Sequence, residues 1–443
     1  MADIKPGRLS SEELSDNFSD LHAPMTQHEA FVEADRCYFC YDAPCMTACP
    51  TNIDIPMFIR QIAADNPNGS AHTILKSNIM GGMCARVCPT ETLCEQVCVR
   101  ETAEGKPVKI GQLQRYATDY LMENSSDHPF ERAEETGKKI AVVGAGPAGL
   151  SCAHRLSMYG HSVTVLEAKE KSGGLNEYGI AAYKSTDAFA TKEVEFILDI
   201  GGITIRNGNS LGDDITIEDL TADYDAVFLG VGLPNVNGLG LEGDETDGCI
   251  DAVDYISELR QADDLSTLEV GRNVVVIGGG MTAIDVATQA KLLGAESVTI
   301  FYRRGAESMN ASRYEQEVAQ TNGVTIRHWL QPHSLNVEDG SITSITMEYT
   351  SDINGSLSGT GETITVNADQ VFKAIGQSPL QDVLKGADLI FEKGRVVVDE
   401  NRKTDNPKIW AGGDCIAGGE DLTVVSVEDG KLAAEDIHKA LSK

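Results

Sequence analysis

The sequence predicts an α/β protein: a helical, cysteine-rich N-terminal domain followed by two Rossmann-like dinucleotide-binding domains, the second inserted into the first and splitting it. Three observations predict this. Eight of the eleven cysteines fall between Arg36 and Cys98. From Lys138 the chain reads strand, glycine turn, helix, strand, with Gly144-x-Gly146-x-x-Gly149 at the turn. A second copy of that pattern opens at Asn273, with Gly278-x-Gly280-x-x-Ala283.

Composition sets the outer limits. A chain of 443 residues, 41% hydrophobic and with 43 glycines, suits roughly two to four compact units of glycine-punctuated α/β structure. No apolar run reaches the length of a membrane-spanning helix, so no membrane association is expected. The formal charge of -32 would repel nucleic acid phosphates and argues against that partner. Residues 207–270 hold sixteen Asp and Glu against the single Arg260, which suits a solvated acidic face. MADIKPGRLS is no secretory signal, so a cytoplasmic location with reduced thiols is expected.

Residues 1–29 are polar and predict an extended or weakly helical arm without chemistry. The domain at 30–125 carries Cys37-x2-Cys40-x4-Cys45-x3-Cys49-Pro50, then Cys84-x3-Cys88-Pro89, then Cys94-x3-Cys98. A disulfide framework does not fit a reducing compartment, and zinc sites usually pair two C-x2-C knuckles where this chain has one. The Cys-Pro pairs favour iron–sulfur chemistry, since two-cluster ferredoxins end their cysteine run that way. Two [4Fe-4S] clusters need eight ligands. Asp54 and Pro56 open a helix over Ile55–Ala64, Pro67-Asn68-Gly69 breaks it, and a second helix runs to about Ser77. Val108–Met122 has helical periodicity, and Glu123–Gly137 is an acidic linker.

At the first glycine turn, Gly144, Gly146, Pro147, Ala148 and Gly149 let a pyrophosphate approach a helix N-terminus, and Glu167 closes the second strand where a ribose can donate to it. At the second turn stand Gly278, Gly280, Met281, Thr282 and Ala283, and its following strand ends in Arg303-Arg304. Guanidinium groups there can grip an adenosine 2'-phosphate, which favours NADPH over NADH. Two such folds in one chain suggest flavin plus nicotinamide. Asp225–Asn235 and Val371–Pro379 are apolar strands ending in glycine turns, the form of chain crossings between the two domains. Ile409–Cys415 is a further strand with Gly413-Asp414 at its end, before a helix around Val427–Ala440. The expected boundaries are 138–255 and 372–443 for the flavin domain and 256–371 for the nicotinamide domain.

In these features the chain resembles the two-dinucleotide-domain flavoprotein reductases, where such an Asp lies beside the flavin's ribityl chain. The resemblance implies that Gly174, Leu175, Lys184, Gly232, Gly413, Asp414 and Thr423 also contact FAD, and that Ala374 and Gly376 contact the nicotinamide nucleotide. Cys152, Cys249 and Cys415 stand alone with no C-x-x-C, which disfavours a flavin–disulfide mechanism. His154 fits a structural role. Hydride transfer needs two aligned rings rather than an acid–base pair, so no catalytic residue is assigned.

CYFCYDAPCMTACPTNIDIPMFI, CARVCPTETLCEQVC and KIGQLQRYATD resemble dihydropyrimidine dehydrogenase, and the domain order resembles that enzyme's N-terminal half and the glutamate synthase small subunit. The resemblance implies one cluster on Cys37, Cys40, Cys45 and Cys98 and a second on Cys49, Cys88, Cys94 and Gln114, with Cys84 a non-ligand neighbour. Gln114 favours the pyrimidine enzyme, because glutamate synthase chains tend to carry Glu there. Two departures stand out: NEYGIAAYK follows Leu175, with Lys184 in the place of a basic residue, and Asn310 stands where an arginine would bind phosphate, which keeps NADH open. The implied function is electron input from NAD(P)H through FAD and two clusters to an FMN-containing catalytic subunit, within a heterotetramer that interconverts uracil or thymine and its 5,6-dihydro form. The rivals are a glutamate synthase small subunit, a ferredoxin-linked NAD(P) oxidoreductase, and a redox-sensing module without turnover.

Overall fold

The valine- and isoleucine-rich runs form two parallel five-stranded sheets in the computed structural model, which describes residues 3–125, 127–353, 355–379, 382–384 and 387–442. The sheets belong to different units. One unit comprises Met1–Leu21, Tyr178–Thr186 and Asn235–Ser378; the other comprises His22–Glu177, Asp187–Pro234 and Pro379–Lys443.

In the second of these, the strand order is Ile409–Ala411, Ala226–Leu229, Lys139–Val143, Ser162–Glu167, Ile203–Asn207, with every pair parallel. The inner strands Lys139–Val143 and Ala226–Leu229 are buried almost throughout, as parallel strands covered on both faces must be. The helix Pro147–Met158 covers one face and packs on Thr423–Leu441. A side chain at Gly430 would collide with the Ala148 carbonyl, so glycine there permits the helices to approach. The helices Gln27–Asp35, Ile55–Ala63, Pro67–Ser77, Gly81–Val87 and Ile110–Asn124 of the cysteine-bearing segment join the same unit. Phe58, Ile59, Ile74 and Leu113 from these helices share one continuous core with Ile140, Val142, Phe228 and Trp410. Asp54 accepts from the Met57 amide at 3.1 Å and Asn66 from the Gly69 amide at 3.0 Å, the capping bonds that start two of these helices.

In the other unit, the sheet runs Thr325–His328, Ser297–Tyr302, Asn273–Gly278, Gln370–Ala374, Cys249–Asp251, again all parallel. An antiparallel meander, Leu330–Glu338, Ser341–Ile353 and Ser356–Asn367, packs Ile342, Ile345 and Met347 against Val275, Ile277 and Val371. Among the described residues, no helix is long and apolar enough to cross a membrane.

Two expected boundaries move. The chain crosses between units at Pro234/Asn235 and Ser378/Pro379 rather than at 255/256 and 371/372, because Cys249–Asp251 pairs with Val371–Lys373 and completes the nicotinamide-type sheet. The N-terminal stretch is no free arm either. Ile4–Lys5 pairs antiparallel with Val270–Gly271, and the helix Ser11–Asn17 buries Leu14 beside Ile256, Leu259 and Leu293. Ser10 and Glu13 form the capping box that starts this helix, and Thr26 and Glu29 do the same for Gln27–Asp35; both S/T-x-x-E signals stand in the sequence.

Candidate cofactor and cluster sites

Short helices and their ends present the cysteines. Cys37 follows the helix Gln27–Asp35, Cys45 lies within Pro44–Ala48 and Cys49 at its end. Cys88 ends the helix Gly81–Val87, and Cys98 starts Val99–Glu104. All eleven cysteines are free thiols. Cys37, Cys40, Cys45 and Cys98 line one cavity, closed otherwise by mainly apolar groups such as Ile55, Ile59 and Val108. Burial pushes the Cys45 thiol up to about 12, and the neighbouring Cys37, Cys98 and Cys40 add to it. Cys37 is raised by burial and by Cys40 and Cys98.

Cys49, Cys84, Cys88 and Cys94 also lie near one another. Cys88 is held well above the ordinary range by its hydrogen bond with Cys84, by burial, and by the nearby Cys84, Cys94 and Cys49. Cys94 is raised by burial, then by Glu95 and Cys49. Thiolates forced together without a cation repel one another; an iron core supplies the missing positive charge. Cys45 raises Cys94 as well, and Cys84 stands beside Cys88. Gln114 is buried, and its Nε2 donates to the Gly81 carbonyl at 2.7 Å, so the amide is fixed through its nitrogen and its oxygen remains the atom suited to iron. Among the described residues, no three Cys, His, Asp or Glu close around a single ion.

The first glycine turn is built for close approach. Gly144 has φ +98°, and a side chain on Gly149 would meet the Gly144 carbonyl, so the helix Pro147–Met158 sits directly on the strand before it. Gly146 caps that helix with extended backbone, and Gly174 closes over it: a Cβ on Gly174 would lie 2.7 Å from the Gly146 Cα. Leu175 follows, part-exposed. Glu167 accepts from the Ala145 amide at 2.7 Å and from the Lys169 amide at 2.9 Å, which aims its carboxylate at the turn. Gly232, φ +62°, has open space at its Cβ position. Gly413 lies against Ala148, and burial, with Asp421 nearby, pushes the Asp414 carboxyl up to about 7. These residues leave an anion cradle, a ribose acceptor and a part-buried carboxyl in one unit, a donor set that fits FAD.

Sequence reasoning missed what orients them. Asp429 is 1% exposed; its Oδ2 accepts from the Gly413 amide at 2.8 Å and its Oδ1 from Arg402 Nε at 2.6 Å. Thr423, which opens its helix, donates to Asn176 Oδ1 at 2.8 Å. The signal available was Gly430, a glycine inside a helical run, which marks a tightly packed face. Asp429→Asn is expected to weaken FAD retention about tenfold, roughly the loss of one charge-assisted bond; FAD titration by fluorescence quenching checks it, and unchanged affinity would detach Asp429 from the site.

Lys184 corrects an expectation. It belongs to the unit of the second glycine turn, and its part-buried ammonium lies 2.7 Å from the buried Asp285 and 2.8 Å from the buried Glu315. It is committed to those carboxylates and is not available to FAD.

At the second turn Gly278 has φ +153°, and a side chain there would strike the Ala374 carbonyl. Gly280 has nothing within 4 Å of its Cβ position, which leaves room for a pyrophosphate before the helix Met281–Leu292 that carries Thr282 and Ala283. Gly376, φ +96°, turns the chain after the neighbouring strand. Arg303 and Arg304 are anchored by their carbonyls, which accept from Thr350 Oγ1 at 2.7 Å and the Trp329 amide at 3.2 Å. Their guanidinium groups make no bond among the described residues. Arg303→Ala or Arg304→Ala is expected to raise the KM for NADPH about tenfold while moving that for NADH less than about twofold; equal effects would assign the arginines to the shared pyrophosphate.

Two family models match the chain. Residues 14–126 match dihydropyrimidine dehydrogenase domain II, 4Fe-4S cluster, and residues 138–430 match pyridine nucleotide-disulphide oxidoreductase. The NAD-dependent dihydropyrimidine dehydrogenase subunit PreT of Salmonella typhimurium is 34% identical over 96% of this chain and 98% of its own. The glutamate synthase [NADPH] small chain of Escherichia coli is 33% identical over 95% and 93%. Among solved structures, Mycobacterium tuberculosis FprA in complex with NADPH superposes with TM-score 0.58 at 18% identity, over 69% of this chain and 84% of that one. Lactococcus lactis thioredoxin reductase gives 0.53 at 21%, over 69% and 99%. Both show the fold.

Fold and sites together define an NAD(P)-linked oxidoreductase with FAD and [4Fe-4S] clusters as its cofactors. The chain belongs to the pyridine nucleotide-disulphide oxidoreductase family, in the group with an N-terminal cluster domain that contains the dihydropyrimidine dehydrogenase PreT subunits and the glutamate synthase small chain.

Proposed function

We propose that this chain is the electron-input subunit of a dihydropyrimidine dehydrogenase. The observation that carries the reading is that the cysteine sets and the Gly144–Gly149 turn share one compact unit and one continuous core, which would hold flavin and clusters in one body. FAD held there would supply a hydride acceptor for NAD(P)H and a one-electron donor for the clusters. The chain's residues hold and orient. Gly278–Ala283 receive the nicotinamide nucleotide's pyrophosphate, with Arg303 and Arg304 at its adenosine end. Gly144–Gly149, Glu167, Gly174 and Asp414 hold FAD, and Asp429 sets the Gly413–Asp414 backbone. Cys37, Cys40, Cys45 and Cys98 hold one cluster; Cys49, Cys88, Cys94 and Gln114 hold the other. Electrons leave to an FMN-containing partner subunit, in a cytoplasmic heterotetramer that interconverts uracil or thymine and the 5,6-dihydropyrimidine.

Gln114 favours this role over a glutamate synthase one, since an amide at the cluster differs from a carboxylate by a full charge. Anaerobic co-expression with an FMN barrel subunit, followed by uracil-dependent oxidation of NADPH and NADH assayed separately, tests it. Turnover with uracil is expected. Flavin bleaching without uracil dependence, together with glutamine-dependent turnover on an amidotransferase partner, would transfer the chain to the glutamate synthase role.

A further inference from the structure

One buried acid has no part in any site described above. Glu193, on the helix Phe189–Leu198, is fully buried. Its helix packs on Pro147–Met158, the helix of the flavin turn, and on Gly81–Val87, the helix that leads to Cys88. Oε1 accepts from the Met83 amide at 2.9 Å and also from the Gly82 amide, whereas Oε2 has no partner among the described residues. The helix Gly81–Val87 has no side-chain cap of its own. Glu193, 110 positions away, supplies that acceptor from another layer.

The same short segment is gripped from two other directions. Gln114 Nε2 donates to the Gly81 carbonyl at 2.7 Å, and Arg86 donates to the Gly82 carbonyl at 3.0 Å while pairing with Asp119 at 2.8 Å. The Arg86 guanidinium also lies 3.4 Å from the centre of the Phe189 ring, one turn before Glu193. Burying a carboxyl with one oxygen unpartnered is unfavourable, and an apolar side chain of similar size would avoid that cost only by leaving the Met83 amide without its acceptor. Burial pushes Glu193 up to about 8 against the Met83 amide and the Arg86 charge.

We propose that Glu193 is a positioning residue for the second cluster: by accepting from Gly82 and Met83 it fixes the Gly81–Val87 helix, and through it the Gly81 carbonyl that orients Gln114 and the thiol of Cys88. Groups behind the ligands fix their orientation and tune a cluster's potential, so displacement of this helix registers there first. The inference rests on the proposed assignment of Cys49, Cys88, Cys94 and Gln114 to that cluster.

The test compares Glu193→Gln, Glu193→Ala and Glu193→Leu by iron content, by low-temperature EPR of the reduced protein and by potentiometric titration. Cys45→Ser and Cys88→Ser identify which signal belongs to which cluster. Gln keeps an acceptor for both amides and is expected to retain the wild-type signals and potentials. Ala and Leu are expected to shift or abolish only the second cluster's signal and potential, with the first cluster and the flavin spectrum unchanged; Leu fills the space, which guards against a simple packing failure. Wild-type signals and potentials in the Leu variant, or a Gln variant that behaves as Ala does, would overturn the proposal. If Cys88→Ser leaves both cluster signals intact, the ligand assignment fails instead, and the comparison of Glu193 variants still reports whether the residue acts on either cluster.

Discussion

Cys45→Ser is expected to halve the bound iron and to reduce electron delivery to the partner subunit more than about a hundredfold, with flavin reduction by NAD(P)H staying within about twofold of wild type. The separation follows from position. Cys45 stands in the cavity with Cys37, Cys40 and Cys98, in an element distinct from the Gly144–Gly149 turn. Its thiol is pushed up to about 12 by burial and by its neighbours, so without iron it is protonated at neutral pH. Iron must displace that proton, and a serine hydroxyl gives it up far less readily than a thiol. Iron analysis and stopped-flow absorbance at the flavin band check both halves. Loss of flavin reduction together with iron would mean that the cysteine layer is needed to hold the flavin unit in shape.

Lys184→Met is expected to cost about 3–5 kcal/mol of local stability, because it leaves Asp285 and Glu315 buried around a missing charge. Amide hydrogen exchange across the helix Met281–Leu292, which carries Asp285, measures it. Burial alone would lower the Lys184 pKa, but the carboxylates of Asp285 and Glu315 outweigh that and hold it well above the ordinary range. A raised lysine stabilises fully below its unfolded value of about 10.4, and the contribution is lost as pH rises through the folded value. The wild-type protein should therefore show a loss of protection on the alkaline side that the variant lacks, and the variant's deficit should be constant across neutral pH. FAD content should not change. A drop in bound FAD would restore Lys184 to the flavin site, against its place in the structure.

The contrast between Lys184 and Gly144 shows where sequence reasoning works. Gly144 and Gly149 are legible because their constraint is local: a positive φ, or a carbonyl a few residues away, admits only glycine. The cysteine spacing is legible for the same reason, since loops of two to four residues bring thiols together before any tertiary contact forms. Lys184 has no such neighbour. Its partners stand 101 and 131 positions further along the chain (285 − 184 and 315 − 184), and a basic residue near a flavin motif carries no sign of which unit will bury it. Asp429 is similar: nothing around it in the chain indicates that it will take the Gly413 amide.

By itself, then, the sequence determined the fold class, the two nucleotide turns, the cysteine clustering and the cofactors these imply, because each rests on backbone geometry or spacing within a few residues. The tertiary structure alone decided where the chain crosses between units, that the N-terminal segment joins the nicotinamide-type unit, that Lys184 is consumed by an ion pair, and that Glu193 meets the Gly81–Val87 helix. Those outcomes depend on which distant surfaces are buried against each other. A buried polar group takes whatever partner the packed core brings within reach, and that partner is fixed only when the core closes.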